Sequence, residues 1–380
     1  MKKIGIIGAG ISGLYIANLF KKNPKYQVSI FDKKNSLNLD EGYGVQLSTN
    51  SVKLLNEIGF NKLEKTEKFN PEKINFYSKK DQDKICELDI SEFNSNDCKY
   101  TTLKRSTLIN FLKKDLENLI KTNYSVSKID QEQEKIKLTF ENKETQECDY
   151  LIISDGVFSK SRNLVSNKQI QPKYNDTLAI RGMIPANSNI IDKKNILLFL
   201  GSDFHHVIYP ISPGGDLNLI AIMKYKLSAD EQKNYSLFND KLFIQKILEN
   251  IPQENKEFFN NLKELKIFPV FVSDNFFEVK NKNIYLIGDA FFAFPPSFAQ
   301  GASQSIEGAH ELFASIENNS NANFFKNRVN KTKMVNNRSK LNQFAFHLSN
   351  PLTVYFRNIF LKKLVKNKKF LESYLGKIYR

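Results

Sequence analysis

The run Gly8-Ala9-Gly10-Ile11-Ser12-Gly13 can bring backbone amides against a charged oxygen, because residues without a Cβ permit a tight turn and a close neighbour. To hold a dinucleotide it needs a helix starting at the turn, whose unpaired amides and dipole favour a diphosphate. It also needs an acid at the end of the following strand to accept hydrogen bonds from a ribose. Asp32, followed by Lys33, stands 19 residues after Gly13. Its carboxylate would repel a 2′-phosphate, so this first site suits FAD or NAD.

Two further stretches carry residues of the same kind. Asp155-Gly156 closes an apolar run, Tyr150 to Ser154, and is followed by Ser159 and Arg162. Gly288-Asp289-Ala290 closes another, and Pro296, Gln300, Gly301 and Ala302 lead from it into a helix. An aspartate at a strand end can bind ribityl or ribose hydroxyls, and a glycine at a helix start offers amides to a flavin or a phosphate. Other chemistries find no support. Cys86, Cys98 and Cys148 form no Cys-x-x-Cys pair, and the four histidines lack metal-ligand spacing, so neither disulfides nor a metal site is expected.

These residues require particular elements around them. Lys3 to Ile7 reads as a buried strand, Ser12 to Lys22 as a helix and Gln27 to Phe31 as a second strand, which opens a parallel sheet with a right-handed crossover. The three glycines and the absence of a small-residue cleavage site separate this opening from a secretory leader. Helices are expected over Ser51 to Gly59, Ser106 to Leu119 and Gly301 to Glu317. Short strands at Ile74 to Tyr77 and Ile85 to Leu88 belong to a second sheet. Alternating runs from Thr177 to Tyr225 predict that this sheet is antiparallel.

A chain of 380 residues suits two domains. The predicted fold is α/β. A discontinuous Rossmann-type domain covers 1–70, 100–168 and 273–340, a smaller antiparallel-sheet domain covers 71–99 and 169–272, and basic helices cover 341–380. The net charge of +15 comes from Lys and Asn spread along the whole chain, so no nucleic-acid role is expected. From residue 352 onward eight Lys or Arg face the single Glu372 and alternate with aromatic and aliphatic residues. That end either packs on the dinucleotide-binding domain with its lysines in solvent or lies on an anionic membrane. No run approaches the roughly 20 apolar residues of a membrane span. A reducing cytoplasm, with peripheral membrane contact as an option, is the expected location.

In this order the three stretches resemble the aromatic-ring hydroxylases, the flavoprotein family that includes salicylate hydroxylase, over residues 2 to about 312. Gly42-Tyr43-Gly44-Val45-Gln46-Leu47 resembles the family's segment beside the flavin ring, and Arg105 its FAD-contacting arginine. Arg181, His205 and Tyr209 lie in segments similar to its substrate-domain strands. The resemblance implies FAD contacts from Gly8, Gly10, Ile11, Ser12, Gly13, Asp32, Lys33, Gly44, Val45 and Arg105. It implies the same for Gly288, Asp289, Pro296, Gln300, Gly301 and Ala302, and a shared FAD and nicotinamide role for Asp155, Gly156 and Arg162. Two departures stand out: Phe292 where relatives usually carry histidine, which should make the flavin edge more apolar, and Ala299 where glycine is commoner.

The resemblance also implies an activity: NADH or NADPH reduces FAD, O2 forms a flavin C4a-hydroperoxide, and a small phenol or aromatic acid is hydroxylated. The protein's part is to orient the ring and exclude water. Arg181, His205 or Tyr209 would hold the substrate. Two alternatives remain open, a ubiquinone-pathway type of hydroxylase acting on a lipophilic quinone precursor at a membrane, and a non-catalytic flavin-binding protein. The absence of Trp speaks against a halogenase.

Overall fold

The computed structural model describes residues 1–37, 43–78, 83–131, 135–166, 168–190, 192–251, 259 and 262–379. Gly42 and Arg380 lie outside the described residues. The first strand, Lys2–Ile7, pairs in parallel with Tyr26–Phe31 on one side and Tyr150–Ile153 on the other. Ile284–Leu286 and Ile120–Lys121 complete a wholly parallel five-stranded sheet. Such a sheet is covered on both faces, which is why its central strands are apolar runs without alternation. Ile4, Ile6, Ile30 and Ile152 are buried in one core with Leu14, Ile16 and Phe20 of the fingerprint helix, Ile11–Lys21. That helix packs against Gly301–Glu317, whose Ile306, Ala309 and Leu312 join the same core.

The second sheet has seven strands in the order Lys263–Val272, Lys173–Ile184, Leu217–Lys224, Phe204–Pro210, Ile196–Gly201, Lys73–Ser78, Lys84–Asp89. Every neighbouring pair is antiparallel except one, since Ile196–Gly201 runs parallel to Lys73–Ser78. The runs from Thr177 to Tyr225 form the expected antiparallel sheet, and the segments expected near Ile74 and Ile85 join it through that one parallel pair. Its strands are more than a hundred residues apart in the chain, so no hairpin dictates their direction. The period-2 alternation divides the sheet's faces. Phe204 and Ile208 enter a core with Ile247 of the helix Lys241–Glu249, whereas His205, Val207 and Tyr209 face a large cavity.

Two small sheets went unread in the sequence: Gly44–Leu47 with Thr101–Lys104 and Lys68–Phe69, and a meander of Val126–Gln131, Ile136–Phe140 and Thr145–Cys148. The helix expected over Ser106 to Leu119 ends at Lys113, because the chain must turn through Glu117–Leu119 to supply the edge strand Ile120–Lys121. The one expected over Ser51 to Gly59 spans Thr49–Asn56, and Gly59 takes φ +96° beyond its end. The helix Phe324–Phe346 runs unbroken across residue 340, where a boundary was expected.

The helix Pro351–Leu364 starts on an Asn350 cap with proline in its first turn. It packs against the Lys84–Asp89 strand, and its Leu361 joins the core of Phe76 and Leu88. The carboxyl segment therefore covers the seven-stranded sheet, where packing on the FAD domain was one of two expectations. Its last residues reach the Thr49–Asn56 helix, where the Thr49 hydroxyl donates to the Tyr379 carbonyl at 2.5 Å. Among the described residues no helix is long and apolar enough to cross a membrane.

Candidate functional site

The glycine turn meets the other two motif stretches in space. Gly8 has φ +98°, and a Cβ there would lie 2.6 Å from the Ser154 carbonyl oxygen. A Cβ on Gly13 would lie 2.1 Å from the Gly8 carbonyl oxygen, so the first helical turn closes only on glycine. Gly288, at φ +58°, sits so near the fingerprint helix that its Cβ would lie 2.5 Å from Ser12 Oγ. The Ser154 hydroxyl donates to the carbonyls of Ile7 and Gly8, at 2.8 and 2.9 Å, tying the Asp-Gly strand to the turn.

Where packing does not require glycine, the surface is open. A Cβ on Gly10, Gly156 or Gly301 would meet no atom within 4 Å. The starts of the helices Ile11–Lys21 and Gly301–Glu317 carry no side-chain cap, so their first amides remain available. Two buried polar atoms beside these turns, Gln300 Nε2 and Asp155 Oδ1, have no hydrogen-bond partner. Open glycine turns, uncapped amides and orphaned polar groups together fit a dinucleotide carrying a flavin. Asp32 ends the second strand as expected. Its carboxylate accepts from the Ala9 amide at 2.8 Å and the Lys34 amide at 2.9 Å, so it also fixes the turn, while Lys33 is exposed.

Arg105 opens the helix Arg105–Lys113, and its amide donates to the Tyr43 carbonyl at 2.7 Å. Its charge reaches Asp289. Asp289 is exposed towards the cavity, and the protein packed around it pushes its carboxyl up by desolvation against the pull of Arg105. Arg162 is placed differently from a ligand-facing group. It is 3% exposed, and its terminal nitrogens donate to the carbonyls of Ala290, Val157 and Ile170 at 3.0, 3.1 and 3.4 Å. It thereby staples the Asp-Gly stretch to the Gly-Asp-Ala stretch.

Phe292 lies among other aromatic rings. Its ring stacks on Phe276 with centroids 4.3 Å apart and sits in the core behind the parallel sheet, while Ala293 and Phe294 line the cavity. The ring also borders a small recess together with Gly288, Asp289 and Gly301. Ala299, in contrast, has φ +52°, the left-handed conformation that explains why glycine is commoner there.

The cavity holds about 790 Å³. Asp289, Pro296, Gly301 and Ala302 border it from the FAD side, with Gly44 and Val45 at one edge. Its wall is the sheet face, where the cross-strand register aligns Arg181, Ile220, Val207, Leu198 and Phe76 in one row. Its polar groups are few, and several of them are held by hydrogen bonds within the protein. Arg181 Nη1 donates to the Gly44 carbonyl at 3.4 Å, with its guanidinium 5.6 Å from the centre of the Tyr43 ring. A Cβ on Gly44 would lie 2.7 Å from the Tyr209 ring, so glycine lets the strand Gly44–Leu47 lie against that tyrosine. Burial pushes the Tyr209 phenol up to about 12, opposed by Arg181 and by a hydrogen bond to Gln46.

His205 Nδ1 lies 2.7 Å from His347 Nε2. Burial drives His205 well below the ordinary histidine range and lowers His347 to about 4, so both rings are neutral at physiological pH. His347 also bonds the Ile222 backbone. With its other nitrogen donating to that carbonyl, His347 Nε2 must accept from His205, which leaves His205 Nε2 as an acceptor.

Several cavity residues carried no sequence signal. Tyr100 donates to Gln46 Oε1 at 2.8 Å and also bonds Tyr379, so phenols from distant segments meet beside Tyr209. Arg357, on the carboxyl-terminal helix, lines the cavity, is buried, and donates to Asn358 and the Ala345 carbonyl with no carboxylate partner among the described residues. Tyr100, Arg357 and Tyr379 are brought to the cavity, and His347 to His205, by the tertiary fold, and no local motif marks them.

Comparison with known proteins agrees with this geometry. Salicylate hydroxylase of Pseudomonas putida is 24% identical over 351 residues, covering 82% of this chain and 75% of that protein. The 6-hydroxynicotinate 3-monooxygenase of Bordetella bronchiseptica is 21% identical over 391 residues, covering 97% and 98%. Among solved structures, Klebsiella pneumoniae HpxO complexed with FAD and uric acid superposes with a TM-score of 0.86 at 14% identity, covering 99% of this chain and 96% of the other. The profile of the FAD binding domain family matches residues 1–321, the span that contains all three converging stretches, and the chain belongs to that family.

Proposed function

We propose that the protein is an FAD-dependent monooxygenase that hydroxylates an aromatic ring with NADH or NADPH and O2. The observation that carries this reading is the cavity of about 790 Å³, bordered by the FAD-holding stretches on one side and by an apolar sheet face with sparse polar groups on the other. Such a chamber takes a flat apolar molecule and orients it through its few polar groups. The salicylate, aminohydroxybenzoate and hydroxynicotinate monooxygenases among its relatives support an aromatic substrate. Bound FAD supplies electron transfer from the nicotinamide and activation of oxygen.

The chain's own residues then have distinct tasks. Uncapped amides at Gly10 and Gly301, with Asp32 and Asp289, hold the dinucleotide. Arg162 keeps the Asp155-Gly156 turn in place through carbonyl contacts. The row of Ile220, Val207, Leu198 and Phe76 excludes water from the reacting ring. Arg181 attracts a carboxylate or phenolate, Tyr209 donates a hydrogen bond, and neutral His205 accepts a hydrogen bond from a substrate hydroxyl at Nε2.

The test is purification with measurement of bound flavin, followed by a screen of phenols and aromatic acids for substrate-stimulated NADH or NADPH oxidation. Oxygen uptake matched by hydroxylated product is expected. Bound flavin that neither nicotinamide reduces would leave a flavin-binding protein instead. With a substrate in hand, Arg181→Lys should raise KM about tenfold at unchanged flavin content. An unaltered KM would remove Arg181 from substrate binding.

A further inference from the structure

The helix Pro351–Leu364 is apolar on two sides. Its inner side packs Leu361, and Val365 just beyond it, into the core with Phe76 and Leu88. On the outer side Leu352, Tyr355, Phe356 and Phe360 follow at spacings of three, one and four, the interval that aligns residues on one helical face. All four are exposed, Leu352 at 64% and Phe360 at 60%. The preceding helix adds Leu341 and Phe344, the latter 67% exposed. Exposed large apolar residues scattered singly need no explanation, but six gathered on two adjoining helices do.

Two observations say what covers them. The first is charge: Lys362, Lys363, Lys366 and Lys369 follow the outer stripe, are all exposed, and make no ion pair among the described residues, while Lys368 pairs only with Glu92 at 3.7 Å. The second is continuity with the cavity. Leu341, Phe344, Phe356 and Phe360 also line it, so the exposed stripe and the chamber form one apolar surface. An aromatic stripe bordered by lysines matches a bilayer interface, where rings enter the acyl boundary and ammonium groups meet anionic headgroups. With no helix among the described residues able to span a membrane, the contact is interfacial.

We infer that the outer faces of Leu341 to Phe346 and Pro351 to Leu364 dock on an anionic lipid bilayer and set the cavity mouth at its surface, so that a lipophilic aromatic substrate enters from the lipid. The docking surface stands without the hydroxylase reading, whereas the statement about substrate rests on it. Charge attraction selects the membrane, and the aromatic stripe supplies the depth of insertion.

Flotation of the flavin-loaded full-length protein tests this with vesicles of phosphatidylcholine mixed with phosphatidylglycerol, against phosphatidylcholine alone. Wild type should float with the anionic vesicles, and raised salt should weaken binding. Leu352→Ser with Tyr355→Ser, two positions outside the cavity lining, should lower partitioning at least about tenfold. Lys362→Glu with Lys363→Glu should lower it further, by about fivefold or more for each lysine lost. Both variants should retain wild-type flavin absorbance and melting temperature, which excludes misfolding as the cause. Wild type left at the bottom of the gradient, or serine variants that float as well as wild type, would overturn the docking surface. So would a dimer in analytical ultracentrifugation that those serines dissociate, since a second copy would then cover the stripe. Flotation without hydroxylation of any aromatic compound would retain the docking surface and remove the proposed function, while hydroxylation without flotation would do the reverse.

Discussion

At the fingerprint turn an added methyl carbon on Gly13 would lie 2.1 Å from the Gly8 carbonyl oxygen, a collision between neighbours in sequence. Across the cavity, the row Arg181, Ile220, Val207, Leu198 and Phe76 is assembled from five strands that span more than a hundred residues of chain. The FAD side is specified by backbone geometry within short stretches, and the substrate side by which strands happen to lie together. Errors at the first should therefore be local and severe. At the second they should be distributed and condition-dependent.

The largest expected effect separates two glycines of the same turn. Gly13→Ala should cost about 3 kcal/mol or more and yield protein without flavin, because backbone must shift to admit the methyl. Gly10→Ala has open space for its Cβ, so its melting temperature should stay within about 2 °C while FAD binds about tenfold more weakly or worse. Circular dichroism melts with flavin titration read both. Two variants that behave alike would mean that the turn does not distinguish packing from ligand contact.

On the substrate side, the His205 and His347 pair should make stability depend on pH. Burial lowers both rings in the folded chain, His347 to about 4, while unfolded histidine titrates near ~6.5. The unfolded chain therefore binds protons first, so this stability is complete above about pH 6.5 and is lost as pH falls towards about 4. Thermal melts through that window should show the loss, and His347→Phe should flatten the profile. An unchanged profile would place the acid sensitivity elsewhere.

The smallest effect falls where the two regions join. Ala299 holds φ +52° just before the Gly301–Glu317 helix, a strained conformation for any residue with a Cβ. Ala299→Gly should raise stability by about 0.5–1 kcal/mol, net of glycine's greater unfolded entropy. A melt that rises by about 1–2 °C fits this, and a fall would show that the Ala299 methyl contributes packing worth more than the strain.

How far the sequence carried differs along the same line. The parallel sheet, the fingerprint helix and the Gly301–Glu317 helix were legible because glycine turns and apolar runs are local signals. The direction of Ile196–Gly201 beside Lys73–Ser78 was not, since nothing in either strand records its partner. The surroundings of Phe292 were not legible for a related reason. Its position relative to Gly288 is local, but the stacking on Phe276 that turns its ring into the core belongs to the tertiary fold.

The sequence by itself determined that a dinucleotide turn, an acid and two further strand-end aspartates exist, because each is a short-range demand of backbone conformation. Only the tertiary structure decided that Arg162 is consumed by carbonyls, that Tyr100, Arg357 and Tyr379 enter the cavity, and that His347 meets His205. It also decided that the basic carboxyl end covers the sheet with an apolar stripe outward. Those outcomes depend on which distant surfaces exclude water together, and burial is a property of the assembled chain that no window of residues contains.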